Sequence, residues 1–312
     1  MSSPISPTDE AVDFPYAGEV SVLAISNPQN ERANFLLPDS ATRTSGAFLA
    51  DRAHRLARRT QEPISATILT KNSAALLGEV LESLSWCDEV VVFDTGSTDA
   101  TLEIAASFTN ASVHQLKGPF PGFGPARRQA VALARHDWIL SVDSDEVVSP
   151  ELRDEIAGLP LEAQAVYVVP FRNYYNGKHI TSCGWYPDCH ERLFNRVVTN
   201  FCTSNVHERV KTAGLERVKL QQAIHHYSYH SLDDFLRKMS AYSHLFARQN
   251  AGRKASCPGK AVARSLWAFF KSYVLERGVL QGTEGLIISA YKAQTVFWKY
   301  LMLHGANVRQ RS

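Results

Sequence analysis

Three acids within four positions, Asp143, Asp145 and Glu146, close a short apolar run over 138–142. Five mostly apolar residues suffice for a buried strand. Acids at the carboxyl end of a strand in an open α/β sheet face the crevice where such sheets bind ligands. Carboxylates this close repel one another unless a cation neutralises them. A hard divalent ion, Mg²⁺ or Mn²⁺, suits them, because it takes carboxylate oxygens and keeps positions free for phosphate. Asp143 and Asp145 together are therefore read as a metal-binding pair. Glu146 is read as a solvated residue of the turn before a helix, since Ser149-Pro150-Glu151 carries an N-cap and an N1 proline.

Other chemistries fit less well. Asp94-Thr95-Gly96-Ser97 after an apolar run is the local signature of an aspartic protease, but the paired Asp-Thr-Gly or Asp-Ser-Gly that shares the proton is missing. An Asp-x-Asp phosphatase places its nucleophile at the end of the first strand, whereas three strand–helix units precede Asp143. The first turn, Thr70-Lys71-Asn72-Ser73, contains neither GxGxxG nor GxxxxGK[ST], which disfavours a dinucleotide fold and a P-loop. Cys183, Cys189 and His190 lack the tight ligand pairs of a structural zinc site.

The elements that must position the acids follow an α/β rhythm. Strands are expected at Ile64–Thr70, Glu89–Phe93, Ser112–Leu116 and the acidic run. Helices are expected at Ala74–Leu84, at Thr98–Phe108 with Thr98 as N-cap, and at Pro125–Arg135. This order predicts a mostly parallel sheet flanked by helices, with strand ends at Thr70, Asp94 and Val142 on one rim. A further strand is expected at Ala165–Phe171, short strands over 172–210, and helices at Ser231–Gln249, Ala261–Glu276 and Gly285–Leu303.

Three regions emerge: an extension over 1–62, a catalytic region over 63–250 and a helical region over 251–312. The extension reads as largely disordered, with a stray strand at Val20–Ile25 and a basic helix carrying Arg52, Arg55, Arg58 and Arg59. The 312 residues are 45% hydrophobic and 21% charged, as expected of a packed core. A net charge of +2 does not suggest a nucleic-acid binder. Five cysteines without a CxxC pair fit a reducing compartment, and neither a signal peptide nor a membrane-spanning run is evident. A cytoplasmic protein is expected.

Thr70-Lys71-Asn72, Val91 to Asp99, Arg127-Arg128-Gln129 and Asp137 to Glu146 together resemble family 2 glycosyltransferases of the GT-A fold. Trp185-Tyr186-Pro187-Asp188, Arg192-Leu193-Phe194, Val206-His207-Glu208 and His226-Tyr227-Ser228-Tyr229 resemble a narrower branch, the bacterial lipopolysaccharide-core β-1,4-glucosyltransferases. The resemblance covers about 64–304. It implies inverting transfer of a sugar, glucose in that branch, from a UDP-sugar to a saccharide or glycolipid acceptor of the cell envelope.

The resemblance also implies roles. Asp145 holds the metal, which offsets charge on the leaving diphosphate. Asp143 contacts the ribose or the metal shell. Asp94 accepts a hydrogen bond from the base, Thr70 and Asn72 line the base pocket, and Arg128 adds a donor-side contact. Glu208 is the expected general base, with Asp188 as its rival; an ion pair with Arg192 or Arg209 is the structural alternative. His226 is a third metal ligand or a histidine packed on Tyr227 and Tyr229, and Lys238 approaches the diphosphate. The sequence leaves open a catalytically silent sugar-nucleotide-binding or scaffold protein on the same fold, against which the intact Asp143, Asp145 and Glu208 argue. A nucleotidyltransferase would need a glycine-rich first loop that is missing. Aromatic and basic residues over 261–304 suit either a membrane interface or helix packing.

Overall fold

The computed structural model describes residues 62–203, 208–229 and 231–310. The expected strand at Val20–Ile25 and the basic helix through Arg52 and Arg59 lie outside the described residues, as do Val206, His207 and His230.

Strands β1 (Ile64–Thr70), β2 (Glu89–Asp94), β3 (Ala111–Gln115) and β4 (Trp138–Asp143) lie parallel in the order β3-β2-β1-β4. Every residue of β1 and β2 is buried. Helices cover both faces of a parallel sheet, which is why β2 is apolar throughout Val90–Phe93 and β1 admits only small hydroxyl residues among its apolar ones. Helices α1 (Leu77–Ser83) and α2 (Thr101–Ala106) pack with Ile68, Val90, Val92 and Val142 on one face. Helix α3 (Phe123–Leu133) packs with Leu69, Phe93 and Ile139 on the other. The register aligns Thr70 with Asp94 and Leu69 with Asp143, so three strand ends meet at one rim.

Beyond β4 the sheet continues through β8 (Asp188–Asn195), antiparallel to β4, then β6 (Ala165–Tyr175) and β10 (Ile224–Tyr229). The short β5 (Glu146–Val148) closes the edge antiparallel to β10, while β7 (Lys178–His179) and β9 (Glu216–Lys219) pair with β6. The expected strand at Ala165–Phe171 extends to Tyr175 as the 11-residue β6, and where only short strands are expected β8 runs 8 residues. Helix α4 (Pro150–Gly158) opens as expected, Ser149 Oγ accepting from the Leu152 amide at 3.1 Å. Helix α2 starts later than expected. Thr98 serves no cap there, because its amide and hydroxyl both donate to Asn72 Oδ1, and Asp99 accepts from the Thr101 amide instead.

Helix α5 (Leu232–Asn250) begins with a capping box between Ser231 and Asp234. It packs along the long α7 (Thr283–Arg309), as does α6 (Pro258–Phe270). A π-turn over Lys271–Leu275 and a 3-10 turn over Gly278–Gln281 join α6 to α7.

Glu89, at the opposite end of the sheet from the rim, holds the α3–β4 connection. Its carboxylate accepts from Ser65 Oγ at 2.6 Å and from the Arg135 amide at 2.7 Å, and pairs with Arg135 Nε at 2.9 Å. Burial works against its charge, but these donors outweigh burial and hold the carboxyl below the usual range. Glu89→Ala is expected to cost about 1–3 kcal/mol in urea denaturation at neutral pH, the cost of leaving buried donors unpaired. A depressed folded-state pKa contributes stability above the unfolded value, roughly 4.3, and loses it as pH falls through the folded value. The gap between wild type and variant should therefore narrow in acid.

Candidate active site

The rim is built from backbone turns before any side chain is free to meet a ligand. Asp94 is fully buried, and its carboxylate accepts from the Gly96 amide at 3.0 Å, the Ser97 amide at 3.0 Å and the Ser97 hydroxyl. The turn needs Gly96 at φ 110°, a conformation L side chains avoid. Asn72, itself at φ 52°, accepts from the Thr98 amide at 2.7 Å, and its own amide donates to Ser97 Oγ at 2.9 Å. The Thr70 carbonyl accepts from the Thr95 amide at 2.9 Å, while Thr70 Oγ1 is buried without a partner. Asp94, Asn72 and Thr70 thus share one knot of hydrogen bonds between the ends of β1 and β2.

The three acids after β4 are divided by two arginines. Arg127, 8% exposed, donates Nη2 to Asp143 Oδ1 at 2.6 Å, Nε to Glu208 Oε1 at 2.9 Å and Nη1 to Ser141 Oγ at 3.3 Å. Arg192 donates to Asp143 Oδ2 at 3.1 Å and also to Glu146. Burial disfavours the charged Asp143, but the Arg127 and Arg192 guanidiniums outweigh it and hold its carboxyl well below the usual range. Burial likewise opposes the Arg127 charge, and Asp143 and Glu208 overcome it. Glu146 is not the solvated turn residue the sequence suggests. It is 1% exposed, accepts from the Asp143 amide at 2.9 Å, and burial pushes its carboxyl up to about 8; Arg192 pulls the other way and Asp143 adds to the rise.

Asp145 faces away from this network. The antiparallel pairing of β5 with β10 sets His226 opposite Glu146, and the Tyr227 amide donates to the Asp145 carbonyl at 2.9 Å. His226 Nε2 consequently stands 3.6 Å from Asp145 Oδ2. Its Nδ1 lies 2.7 Å from Asn173 Oδ1, an acceptor that requires the proton on Nδ1. Asn173 Nδ2 donates onward to Asp188 Oδ2 at 3.0 Å, and Asp188 Oδ1 pairs with His190 Nε2 at 2.9 Å. Burial disfavours the charged forms of both Asp145 and His226. Their mutual attraction prevails, lowering the Asp145 carboxyl and raising the His226 imidazole.

One ligand atom each from Asp145, Glu146 and His226 falls within 4.8 Å of the others. Two carboxylates and an imidazole are a suitable donor set for Mn²⁺ or Mg²⁺. An imidazole whose Nδ1 is fixed by an acceptor is the usual arrangement of a metal-binding histidine, and here Nε2 lies 2.8 Å from Ser228 Oγ and 3.6 Å from Asp145 Oδ2. The residues therefore fit a divalent ion, centred on Asp145 and His226, with Asp143 committed to the arginines.

The remaining expected residues divide between the halves. Glu208 sits with Arg127 rather than with Arg192 or Arg209. Asp188 lines a cavity of about 260 Å³ with Asn173, Trp185, Ser228 and Tyr229. Lys238 donates to the Ser228 carbonyl at 2.8 Å and lies over the Tyr229 ring. Burial depresses its ammonium, with Asp145 the largest opposing charge, so it stands at the edge of the site. Among the described residues Arg128 makes no bond to the acids; its Nη1 donates to the Phe201 carbonyl at 3.0 Å. Arg127, rather than Arg128, is the arginine of the pair that reaches the acids at the rim. The buried stripe Phe123, Ala126, Ala130 and Val131 of α3 puts position 127 inward and 128 off the stripe, a signal present in the sequence. Cys183 lies against the Gly285 carbonyl and Ser289, away from Cys189 on β8.

A Rickettsia bellii protein named an uncharacterized glycosyltransferase is 30% identical over 268 residues, covering 80% of this chain and 87% of its own. The lipopolysaccharide core biosynthesis glycosyltransferase LpsC of Rhizobium meliloti is 28% identical over 192 residues, covering 60% of this chain and 71% of its own. Among solved structures, Staphylococcus aureus TarS 1–349 in complex with UDP is 18% identical, covering 80% of this chain and 92% of that one, at a TM-score of 0.41. The sequence model described as glycosyl transferase family 2 matches residues 65–223, a span that runs from the second residue of β1 through β9 and includes all three acids at the end of β4. The chain belongs to glycosyl transferase family 2 and is a glycosyltransferase.

Proposed function

We propose that this glycosyltransferase moves a sugar from a UDP-sugar to a hydroxyl of a saccharide acceptor, with inversion, in the assembly of a cell-envelope glycan such as lipopolysaccharide core. The observation that carries the reading is the divided acid cluster. Asp145 and His226 form a cation site on one side, and Glu208 is held by a buried guanidinium on the other. The name carried by the Rhizobium meliloti relative supports the choice of glycan, and glucose is the donor sugar we favour.

In this reading Thr70, Asn72 and Asp94 shape the base pocket through the turns they hold, and Asp143, fixed by two arginines, meets the ribose. Mn²⁺ or Mg²⁺ bound by Asp145 and His226 supplies positive charge opposite the leaving diphosphate. Lys238 adds a second positive charge beside Asp145. The acceptor hydroxyl attacks the anomeric carbon, its proton passes to the Glu208 carboxylate, and the bond from that carbon to the diphosphate oxygen breaks to release UDP. Arg127 fixes Glu208 relative to Asp143, coupling the acceptor face to the donor face. A second reading gives the proton to Asp188, because that carboxylate lines the cavity beside Trp185 and Tyr229.

The donor assignment is tested by calorimetric titration of UDP with and without Mn²⁺. Asp145→Asn is expected to remove the Mn²⁺-dependent part of UDP binding, and Asn173→Leu to weaken Mn²⁺ about 10–100-fold by releasing the His226 ring. Unchanged Mn²⁺ affinity in both variants would place the ion elsewhere. The base assignment is tested by transfer from UDP-glucose to core oligosaccharide. Glu208→Gln should lower turnover about 10²–10⁴-fold with donor affinity preserved. Near-normal turnover in Glu208→Gln together with loss in Asp188→Asn would exchange the two roles.

Arg127→Met is expected to destabilise the protein by about 3–5 kcal/mol in urea denaturation, since it leaves Glu208 without its cation and Asp143 with Arg192 alone. Arg128→Ala, which loses one hydrogen bond to a carbonyl, should cost about 1 kcal/mol. Equal costs for the two variants would contradict the different burial of the two arginines.

A further inference from the structure

The charge of the chain is unevenly placed. Residues 235–312 contain thirteen Lys and Arg against two acids, Glu276 and Glu284, a net of +11. Since the whole chain carries +2, the first 234 residues carry −9. Such asymmetry marks a segment that meets a polyanion or an anionic surface.

The fold gathers part of this charge into one cluster. Phe246 on α5 and Tyr300 on α7 meet edge to face at 5.5 Å. Around these two rings stand four cations. Lys254 and Lys299 lie 5.5 and 4.8 Å from the Phe246 centroid. Lys260 and Arg264 lie 5.6 and 5.0 Å from that of Tyr300. Lys260 Nζ donates to the Ala255 carbonyl at 2.8 Å. Among the described residues no ion pair involves any of the four. Burial, then the like charges of Lys254 and Arg264, depress the Lys299 ammonium, so the cluster is under electrostatic repulsion that an anion would relieve.

Lys260 and Arg264 also belong to α6, whose far side is apolar. Ala261 and Ser265 turn this helix toward α7, with Ser265 Oγ bonded to the Ala293 carbonyl at 2.9 Å. The opposite side presents Leu266 at 68% exposure, Trp267 at 57% and Phe270 at 45%. The turns that follow add Leu275, Val279 and Leu280, the last 74% exposed. Isolated exposed apolar side chains are ordinary, but large ones concentrated on one helix face and the adjoining loop mark an interaction site. No carboxylate occurs from Phe235 to Leu275, which fits an anionic partner. Exposed Leu and Val favour hydrocarbon over stacked nucleobases. Among the described residues no helix is long and apolar enough to cross a membrane, so the contact is with a surface.

We propose that α6 and the turn after it lie on an anionic phospholipid surface. Leu266, Trp267, Phe270 and Leu280 enter the acyl boundary, and Lys254, Lys260, Arg264 and Lys299 bind headgroup phosphates. An amphipathic helix with Trp and Phe on one side and cations beside them binds in the interfacial plane, by buried apolar area plus attraction to anionic lipid. The inference does not depend on the donor, the acceptor or the base proposed above.

The test is cosedimentation of the full-length protein with vesicles of phosphatidylcholine alone or with about one third phosphatidylglycerol. Wild type should bind the anionic vesicles, with a blue shift in tryptophan fluorescence, and leave the zwitterionic ones in the supernatant. Replacing the four cations together by Gln should weaken binding at least about tenfold, since each basic residue near such a surface adds several-fold. Leu266→Glu with Trp267→Glu should do the same and abolish the blue shift, with the melting temperature of both variants checked against wild type. Inorganic phosphate at millimolar concentration should not displace the protein. No binding to anionic vesicles, or binding that survives both sets of substitutions, would overturn the proposal. Displacement by inorganic phosphate would reduce the cluster to a free-anion site and overturn it also. So would a lipid-free dimer that Leu266→Glu with Trp267→Glu converts to monomer, for the face would then be an interface between copies of the chain.

Discussion

Arg127 carries its charge into a place that water scarcely reaches, and the arrangement of the rim follows from the need to compensate it. Its guanidinium is planar and presents donors in fixed directions. One edge takes Asp143, Nε takes Glu208, and the inner nitrogen reaches Ser141 on β4. Arg192 arrives from β8 and takes the other oxygen of Asp143 and the carboxylate of Glu146. Two of three neighbouring acids are thereby committed to cations supplied by the protein. Asp145 alone is left to look across to β10, where His226 waits with its ring fixed by Asn173. The division makes chemical sense of three acids in so short a stretch, because Asp145 is the one that neither arginine takes.

The parallel half of the sheet is legible in the sequence because both its faces are covered. Val90, Val91, Val92 and Phe93 are all buried, so β2 reads as an unbroken apolar run, and β1 and β4 are interrupted only by the small buried hydroxyl residues Ser65, Thr67 and Ser141. The rim follows, since Thr70, Asp94 and Asp143 end those runs. The other half is harder to read. Strands β6 and β8 mix core residues such as Val166, Tyr167 and Phe194 with Asn173, Asp188, His190 and Arg192 at the rim, and that composition hides an extended ladder. The approach of His226 to Asp145 depends on the β5–β10 pairing across some eighty residues, which no local pattern announces. Glu146 was obscured for the opposite reason. Its position before a helix cap suggests solvent, and only the arrival of Arg192 from β8 makes burial of the carboxylate tolerable. Choosing Arg127 over Arg128 needed only the phase of α3, because the apolar stripe of that helix passes through 127.

The acidic rim and the cationic C-terminal helices are joined by one aromatic column. Trp185, Tyr229, Phe235 and Tyr291 stack from the cavity beside Asp188 to the inner side of α7. Tyr229 ends the strand that bears His226, and Phe235 opens α5, so the helix group is seated against the strand that completes the cation site. Packing of this kind fixes the orientation of α5 and α7 relative to the rim. The positively charged end of the chain thereby stands in a defined relation to the site where a phosphate-bearing donor is proposed to bind.

The claim on which the account rests is that Asp145 and His226, not the Asp143 pair, face the cation. Pulsed electron paramagnetic resonance of Mn²⁺ bound to the protein in the presence of UDP reads this directly, because an imidazole nitrogen in the coordination sphere modulates the echo. The account predicts nitrogen coupling in the wild-type protein that disappears in His226→Ala while Mn²⁺ remains bound through carboxylate oxygen. Bound Mn²⁺ without nitrogen coupling, or coupling that persists in His226→Ala, would contradict it.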